Sequence, residues 1–236
     1  NRHKMVPIPV CVIPEALQGL TGEGWRTTAH DFYTLEGALA LRGALERFEG
    51  GRVVVNIAEL PIKCPVAPLE FAFLVEAYLT KRGLRGKSEI VYATPLEGAF
   101  TKPVASRLLG GKLAARGISV VGDFAASEVD GGTRRLKSYD GRELEYDLLV
   151  TIPPHGGAEV ITRSGLGDAG GWVPTHRNTL AVTAAPNVWA LGDATDLPSS
   201  KAGAVAHFQS DVLVENLLAA IDSRPLHAAF DGHANC

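Results

Sequence analysis

The chain has 236 residues, of which 46% are hydrophobic and 21% charged, and its formal net charge is −3. This balance is typical of a globular protein with one large or two small domains, and it excludes a disordered chain. The small negative charge gives no electrostatic footprint for nucleic acid, and the longest apolar runs are far too short to span a membrane.

The first elements in chain order are a proline-rich start and one amphipathic helix. Three prolines within the first fourteen residues limit that segment to an edge strand at most. Thr34 is a suitable N-cap for a helix that runs to about Phe48. The apolar positions predicted to face the core are Leu35, Ala38, Leu39, Leu41, Leu45 and Phe48.

Strands and helices alternate from about Gly51 to Thr151, and the alternation ends in a hairpin. The predicted order is a strand at 52–58, a helix at 68–81, a strand at 88–93, a helix at 103–116 and a strand at 118–121. Asp140-Gly141, between two segments of alternating polarity at 134–139 and 143–151, is a strong hairpin signal. This order is that of a Rossmann-like unit.

The turn between the first strand and the first helix of this unit holds Pro61, Cys64, Pro65 and Pro68 but no glycine. A nicotinamide-binding turn needs glycines, because the backbone must approach the pyrophosphate closely. The unit is therefore predicted to keep the shape of such a domain without binding NAD(P)H. Cys64 lies beside Lys63 and before a helix N-terminus, and both features favour the thiolate. On these residues alone, a small buried cysteine is the commoner interpretation.

The stretch from Asn187 to Ile221 organises the rest of the chain. Val188–Leu191 is an apolar run, predicted to be a buried strand, that ends at Gly192-Asp193. An acidic side chain at such an edge can accept hydrogen bonds from sugar-type hydroxyls. The positive end of the helix predicted from about Ala202 can face an anionic group. A flavin offers both partners, and the alternative is a strand, a loop and a packing helix with no ligand.

The segment VWALGDAT followed by SKAGAVAHFQ resembles the second flavin-binding motif of the flavoproteins with two dinucleotide-binding domains. Within them it looks most like the branch of sulfide:quinone oxidoreductase and flavocytochrome c sulfide dehydrogenase. The resemblance implies an α/β protein with two Rossmann-like lobes. Residues 1–50 and 152–236 would form a partial FAD-binding domain, and residues 51–151 an inserted NAD(P)-binding-like Rossmann domain. The FAD lobe is expected to be incomplete, because no G-x-G-x-x-G opens the chain.

The resemblance also assigns cofactor-binding residues. It implies that Gly192 and Asp193 contact the ribityl-pyrophosphate part of FAD. Lys201 and Ala202, where the long helix begins, are expected near the pyrimidine edge of the flavin.

Two of the three cysteines match redox positions of the family. Cys64, in KCPVAPLE, resembles one redox cysteine, and Cys236, which follows a Phe-Asp-Gly segment, resembles the other. Cys11 is expected to be a bystander, and Tyr33 stands where some family members carry a third redox cysteine. The spacing of the cysteines forms neither a disulfide framework nor a zinc pattern, so no metal site is expected.

The activity implied is that of an FAD-dependent oxidoreductase of the sulfide:quinone oxidoreductase type. Electrons would pass from sulfide, or another small thiol donor, through the cysteine pair to flavin and on to a quinone or a haem protein. The alternatives are a type II NADH dehydrogenase-like flavoenzyme and a non-catalytic fragment that serves as a scaffold or interaction module. No segment has the pattern of a signal peptide. The expected location is the cytoplasm, or the inner face of a membrane through parts outside this chain.

Overall fold

The computed structural model describes residues 10–234. The strands are β1 (Cys11–Val12), β2 (Ala29–His30), β3 (Gly51–Ile57), β4 (Ser88–Ala93), β5 (Ile118–Val121), β6 (Ala126–Asp130), β7 (Arg135–Ser138), β8 (Glu143–Glu145), β9 (Leu148–Ile152) and β10 (His155–Gly156). The α-helices are α1 (Leu35–Arg47), α2 (Ala67–Lys81), α3 (Pro103–Ala115), α4 (Glu159–Arg163) and α5 (Gly203–Ile221). Short 3₁₀ turns lie at Pro14–Ala16, Arg85–Lys87 and Gly192–Ala194.

The described chain divides into two compact units. One comprises Val12–Ile62 and Val66–Pro154, and the other contains Lys63–Pro65 and residues 155–234. The first therefore includes most of the predicted insert together with residues 12–50, and the second includes Cys64 together with α5.

The first unit is built on a five-stranded parallel sheet in the order β2-β9-β3-β4-β5. Its central strand, β3, carries three consecutive valines that are fully buried, and β9 is buried along its whole length. Such continuous apolar runs are expected of a parallel sheet that is covered on both faces. Sequence patterns predicted β3, β4 and β5 to within one residue at each end.

Each face of this sheet has its own core. Val53 and Val55 pack into a cluster with residues of α1, α2 and α3, such as Leu69 of α2. Val54 points the other way and packs with Phe124 and Leu136. Because side chains alternate across a strand, successive valines serve opposite layers. The unit is therefore a three-layer arrangement of helices, a parallel sheet and the antiparallel sheet β6-β7-β8.

The predicted hairpin around Asp140-Gly141 is present as the antiparallel pair β7 and β8. The segment 143–151 was predicted as the second half of the hairpin, with a return strand at 147–151, and it forms two separate strands. β8 ends at Glu145, and β9 continues from Leu148 in the parallel sheet. The sequence pattern also did not reveal β6, the third strand of the antiparallel sheet.

Helix α1 begins where predicted, but its buried face is different. Thr34 Oγ1 accepts a hydrogen bond from the Gly37 amide at 3.0 Å, the expected N-cap contact. Leu35 and Leu39 are 71% and 53% exposed, whereas Gly37, Leu41 and Ala44 are buried. The prediction that Leu35, Ala38 and Leu39 face the core is therefore wrong, whereas that for Leu41 is right, because the buried face of α1 runs through Gly37, Leu41 and Ala44.

The second unit consists mainly of loops that are linked by isolated β-bridges, and it has no long sheet within the described residues. The predicted strand at Val188–Leu191 is not a strand, since Trp189 forms only an isolated antiparallel bridge with Ala181. Val188 and Ala190 are half-buried against a small cluster around Val173. Helix α5 agrees with the prediction, with Ala202 at its N-cap position. No helix in the part of the chain that the structure describes is long and apolar enough to cross a membrane.

Candidate functional site

The turn that carries Asp193 is a tight 3₁₀ turn, Gly192–Ala194. Gly192 has φ +66°, and a Cβ at this position would lie 3.1 Å from the Cβ of Ala206 on α5. Both facts favour glycine, which alone adopts this conformation at no cost. Thr195 closes the turn, because its amide and its hydroxyl both donate to the Gly192 carbonyl, at 3.2 and 2.9 Å. Asp193 is thus presented by a turn beside the first half of α5, and the prediction that it ends a strand is wrong.

Lys201 holds this turn from inside the unit. Its side chain is buried, with the residue 6% exposed. Nζ donates to the backbone carbonyls of Asp193 and Thr195, at 3.1 and 2.8 Å, and lies 3.9 Å from the centre of the Trp172 ring. Charge-assisted hydrogen bonds and a desolvated cation–π contact are among the stronger local interactions in proteins. The ammonium group therefore fixes the shape of the turn.

The two charged side chains at this turn are both partly removed from water. Burial raises the pKa of the Asp193 carboxyl above its ordinary value, while the nearby charges of Lys201 and Lys63 oppose that shift. Burial likewise lowers the pKa of Lys201, and the carboxylate of Asp193 is the largest of the opposing influences. Since Lys201 bonds to the backbone carbonyl of Asp193, the carboxylate is not the group that holds the turn together.

A second buried side chain, Gln209 on α5, contacts the turn from the helix. Its Oε1 accepts a hydrogen bond from the Gly192 amide at 2.6 Å, and the residue is fully buried. Its Nε2 is buried and has no hydrogen-bond partner within residues 10–234. Sequence reasoning missed this residue, although a glutamine among apolar residues in AVAHFQ was the available signal. Buried amide groups are normally hydrogen-bonded, so this donor suits a ligand acceptor.

Cys64 lies in the same compact unit as this turn. Its backbone amide donates to the carbonyl of Lys201 at 2.6 Å, and Lys63 and Lys201 form an isolated parallel bridge. Cys64 is partly exposed and has φ +46°, a left-handed conformation that is uncommon for a residue with a side chain. This backbone conformation, held by a short hydrogen bond, fixes the position and direction of the Cα–Cβ bond that carries the thiol.

The structure thus brings five of the predicted site residues into one unit. Gly192 and Asp193 form the turn, Lys201 bonds to it, Ala202 begins α5, and Cys64 bonds to Lys201. The sixth, Cys236, lies outside the described residues. Within residues 10–234, no cluster of three or more metal-ligating side chains is present.

These residues fit a flavin. The turn presents a partly buried carboxyl to sugar hydroxyls, and the N-terminus of a 19-residue helix supplies positive potential. The buried donor of Gln209 is of a kind that a flavin oxygen can accept from. The geometry supplies groups to bind and orient such a molecule.

Comparison with known proteins gives relatives of one kind. No family model matches the chain. The mitochondrial sulfide:quinone oxidoreductase of Mus musculus is 29% identical over 199 residues, which make up 82% of this chain and 44% of that protein. Those of Dictyostelium discoideum and Schizosaccharomyces pombe are each 28% identical, over 79% and 81% of this chain and 42% and 43% of their own lengths. The chain therefore spans less than half the length of these curated relatives.

Solved structures share the fold. The sulfide:quinone oxidoreductase from the hyperthermophilic bacterium Aquifex aeolicus matches with a TM-score of 0.74 at 19% identity, over 89% of this chain and 52% of that chain. A chain of the Tetrahymena thermophila mitochondrial ATP synthase matches with a TM-score of 0.73 at 21% identity, over 94% and 57%. Reduced CoADR-RHD from Bacillus anthracis matches with a TM-score of 0.62 at 11% identity, over 94% and 38%.

The solved structures define the fold class, which is mixed α/β and Rossmann-like. More particularly, the resemblance to sulfide:quinone oxidoreductases, inferred from the GDAT and SKAG segments, is confirmed by the three curated relatives described above.

Proposed function

We propose that this chain is part of an FAD-dependent oxidoreductase of the sulfide:quinone oxidoreductase type. In this proposal residues 1–50 and 152–236 belong to a partial flavin-binding domain, which includes the turn at Gly192–Ala194 and α5. Residues 51–151, which supply β3, β4, β5 and most of β9 in the parallel sheet, belong to the inserted NAD(P)-binding-like domain. The donor is sulfide or another small thiol, and the acceptor is a quinone or a haem protein. A peripheral position at a membrane would bring a quinone within reach.

The observation that carries the proposal is the 2.6 Å hydrogen bond from the Cys64 amide to the Lys201 carbonyl. Lys201 also bonds through Nζ to the turn that presents Asp193. A candidate redox cysteine and a candidate flavin-binding turn therefore share one residue as their connection. Neither a packing cysteine nor a simple loop needs this arrangement.

The chain's own part in the chemistry is thiol–disulfide exchange. We assign Cys64 and Cys236 as a pair that is bridged in the oxidised protein. Hydrosulfide attacks one sulfur, the bond between the two cysteines breaks, and a new sulfur–sulfur bond leaves a persulfide on one cysteine and a thiolate on the other. Such exchange depends on the access and the thiolate fraction of the attacking thiol. When bound, FAD supplies the two-electron acceptor that passes the electrons on.

The residues around the turn would bind and orient the cofactor. Asp193 would accept hydrogen bonds from the ribityl chain, and Gly192 would allow close approach of the backbone. The N-terminus of α5, starting at Ala202, would face the pyrimidine edge of the ring, where a positive potential favours negative charge. Lys201, whose Nζ is used within the protein, would act there by shaping the turn.

The test is anaerobic mixing of sulfide with the flavin-loaded, intact protein while the flavin absorbance is recorded. We expect Cys64→Ser and Cys236→Ser each to abolish sulfide-dependent bleaching, because neither can form the disulfide that sulfide attacks. Cys11→Ser is the matched control, and its bleaching rate should equal that of the parent. If Cys64→Ser reduces its flavin with sulfide at the parental rate, the proposed function is wrong.

A further inference from the structure

One buried group near the turn is not explained by the fold. Gln209 is fully buried on α5, and its Oε1 is fixed by the Gly192 amide at 2.6 Å. Exchanging the two ends of the amide would place a donor against a donor, so the orientation is determined. Nε2 is then left as a buried donor without a partner in the described part of the chain.

A buried donor without a hydrogen-bond partner is destabilising. The other buried amide side chain of α5 has partners for all its polar atoms. Asn216, seven residues further along α5, is also fully buried. Its Nδ2 donates to the carbonyls of Thr179 and Ala228, at 3.2 and 2.8 Å, and its Oδ1 accepts from the Ala228 amide at 3.2 Å. The helix thus satisfies both ends of one buried amide with protein groups but only one end of the other. Since a buried unpaired donor is destabilising, the second end of Gln209 needs a partner of another kind.

We propose that Gln209 is a positioning residue that bridges the Gly192 turn and the flavin. Oε1 holds the Gly192 amide and so keeps the turn in its left-handed shape, and Nε2 donates to an acceptor oxygen of the bound flavin. This inference rests on the proposed flavin site. It assigns a specific function to one side chain that the GDAT and SKAG segments did not identify.

The position of Gln209 explains how one side chain can hold the turn and also reach a bound flavin. Gly192 lies against Ala206, one turn of α5 before Gln209, so the helix and the turn are in direct contact. Lys201 fixes the far end of the same turn through the carbonyls of Asp193 and Thr195. The turn is therefore held at its start by a neutral amide and at its end by an ammonium, and the amide keeps a buried donor without a partner in the described residues.

The test compares Gln209→Glu with Asn216→Asp in the intact protein after removal of its flavin. Both changes replace a buried amide by the isosteric acid, whose ionised form keeps the acceptor and removes the donor, so affinities are compared at a pH where both acids are ionised. We expect Gln209→Glu to weaken FAD binding roughly five- to tenfold, which corresponds to the loss of one hydrogen bond. Asn216→Asp should lower the melting temperature but leave the FAD dissociation constant unchanged. Unchanged here means within about twofold of the parent value, which is roughly the error of such a titration.

Two further measurements separate the two ends of the amide. Hydrogen exchange at the Gly192 amide should be slow in the parent and in Gln209→Glu, but fast in Gln209→Met, which lacks the acceptor. Titration with lumiflavin, which has the ring oxygens but no ribityl chain, identifies the acceptor. A loss of lumiflavin affinity in Gln209→Glu assigns a ring oxygen, and a loss seen only with riboflavin and FAD assigns a ribityl hydroxyl.

Unchanged FAD affinity in Gln209→Glu would overturn this inference and leave the proposed function standing. So would an equal loss of affinity in Asn216→Asp, since the effect would then be general. Slow exchange at Gly192 in Gln209→Met would show that Oε1 does not hold the turn. If the parent protein takes up no flavin at all, the proposed function and this inference both fail.

Discussion

Replacing Lys201 by methionine removes one charge from the centre of the site and little else. Methionine keeps most of the aliphatic stem and fills a similar volume. What disappears is the ammonium group that bonds to the carbonyls of Asp193 and Thr195 and lies 3.9 Å from the ring centre of Trp172. The backbone carbonyl that accepts from Cys64 is unaffected by the substitution.

The expected size follows from opposing contributions. Each hydrogen bond from a charged donor contributes about 1.5–3 kcal/mol, and a desolvated cation–π contact about 2 kcal/mol. Against this, a buried ammonium pays several kcal/mol of desolvation that methionine avoids, the same effect that lowers the pKa of Lys201. We expect a net loss of about 2 kcal/mol in the free energy of unfolding. For a protein of this size that is about 4–8 °C in melting temperature.

The assay is urea and thermal unfolding of the parent, Lys201→Met and a control, Lys112→Met, followed by far-ultraviolet circular dichroism. Lys112 lies on α3 and is exposed, so the same chemical change there should alter stability by less than about 0.5 kcal/mol. Equal stability of Lys201→Met and the parent would refute the claim that the ammonium group gives a net stabilisation of the turn. The desolvation cost of the buried charge would then cancel the favourable contacts entirely.

The remaining predictions concern the carboxyl of the turn and the glycine-free loop. Because burial raises the pKa of Asp193 in the folded protein, its contribution to stability is full below the ordinary value of about 4 and declines as pH rises through the raised value. Asp193→Asn should remove this decline from the urea midpoint measured between about pH 4 and 7, and parallel profiles would contradict it. Calorimetric titration with NADH and NADPH should show no binding at the loop from Pro61 to Pro68, and micromolar affinity there would favour a type II NADH dehydrogenase-like enzyme.

Most elements of the first unit could be predicted because they are specified locally, although β2 and β6 were not. β3 is a run of β-branched residues, β4 and β5 are short apolar segments, and the Asp140-Gly141 pair marks the hairpin. Thr34 supplies its cap three residues before the amide it accepts from. In each case the signal lies within the element or directly beside it, so no knowledge of distant contacts was needed.

The second unit was harder, because its structure depends on contacts between distant segments. Val188–Leu191 has the composition of a strand, but its only ladder contact is the single bridge of Trp189 with Ala181. Composition predicts that a segment is apolar, and it does not reveal whether a neighbouring strand is available to pair with it. The cation–π contact between the Lys201 ammonium and the Trp172 ring could not be predicted either, because nothing in the local sequence connects the two residues.

Lys201 shows why the candidate site could be located by sequence but not described by it. The short segment around it resembles a family motif, and that resemblance singled out the residue and implied a position near a flavin. Its three actual connections are to a turn through Nζ, to an aromatic ring through its charge, and to Cys64 through its backbone carbonyl. Only the first partner is a near neighbour in sequence. A residue that uses its side chain to shape one functional element and its backbone to hold another must keep its position for both, and that makes Lys201 the point at which the turn and the cysteine are coupled.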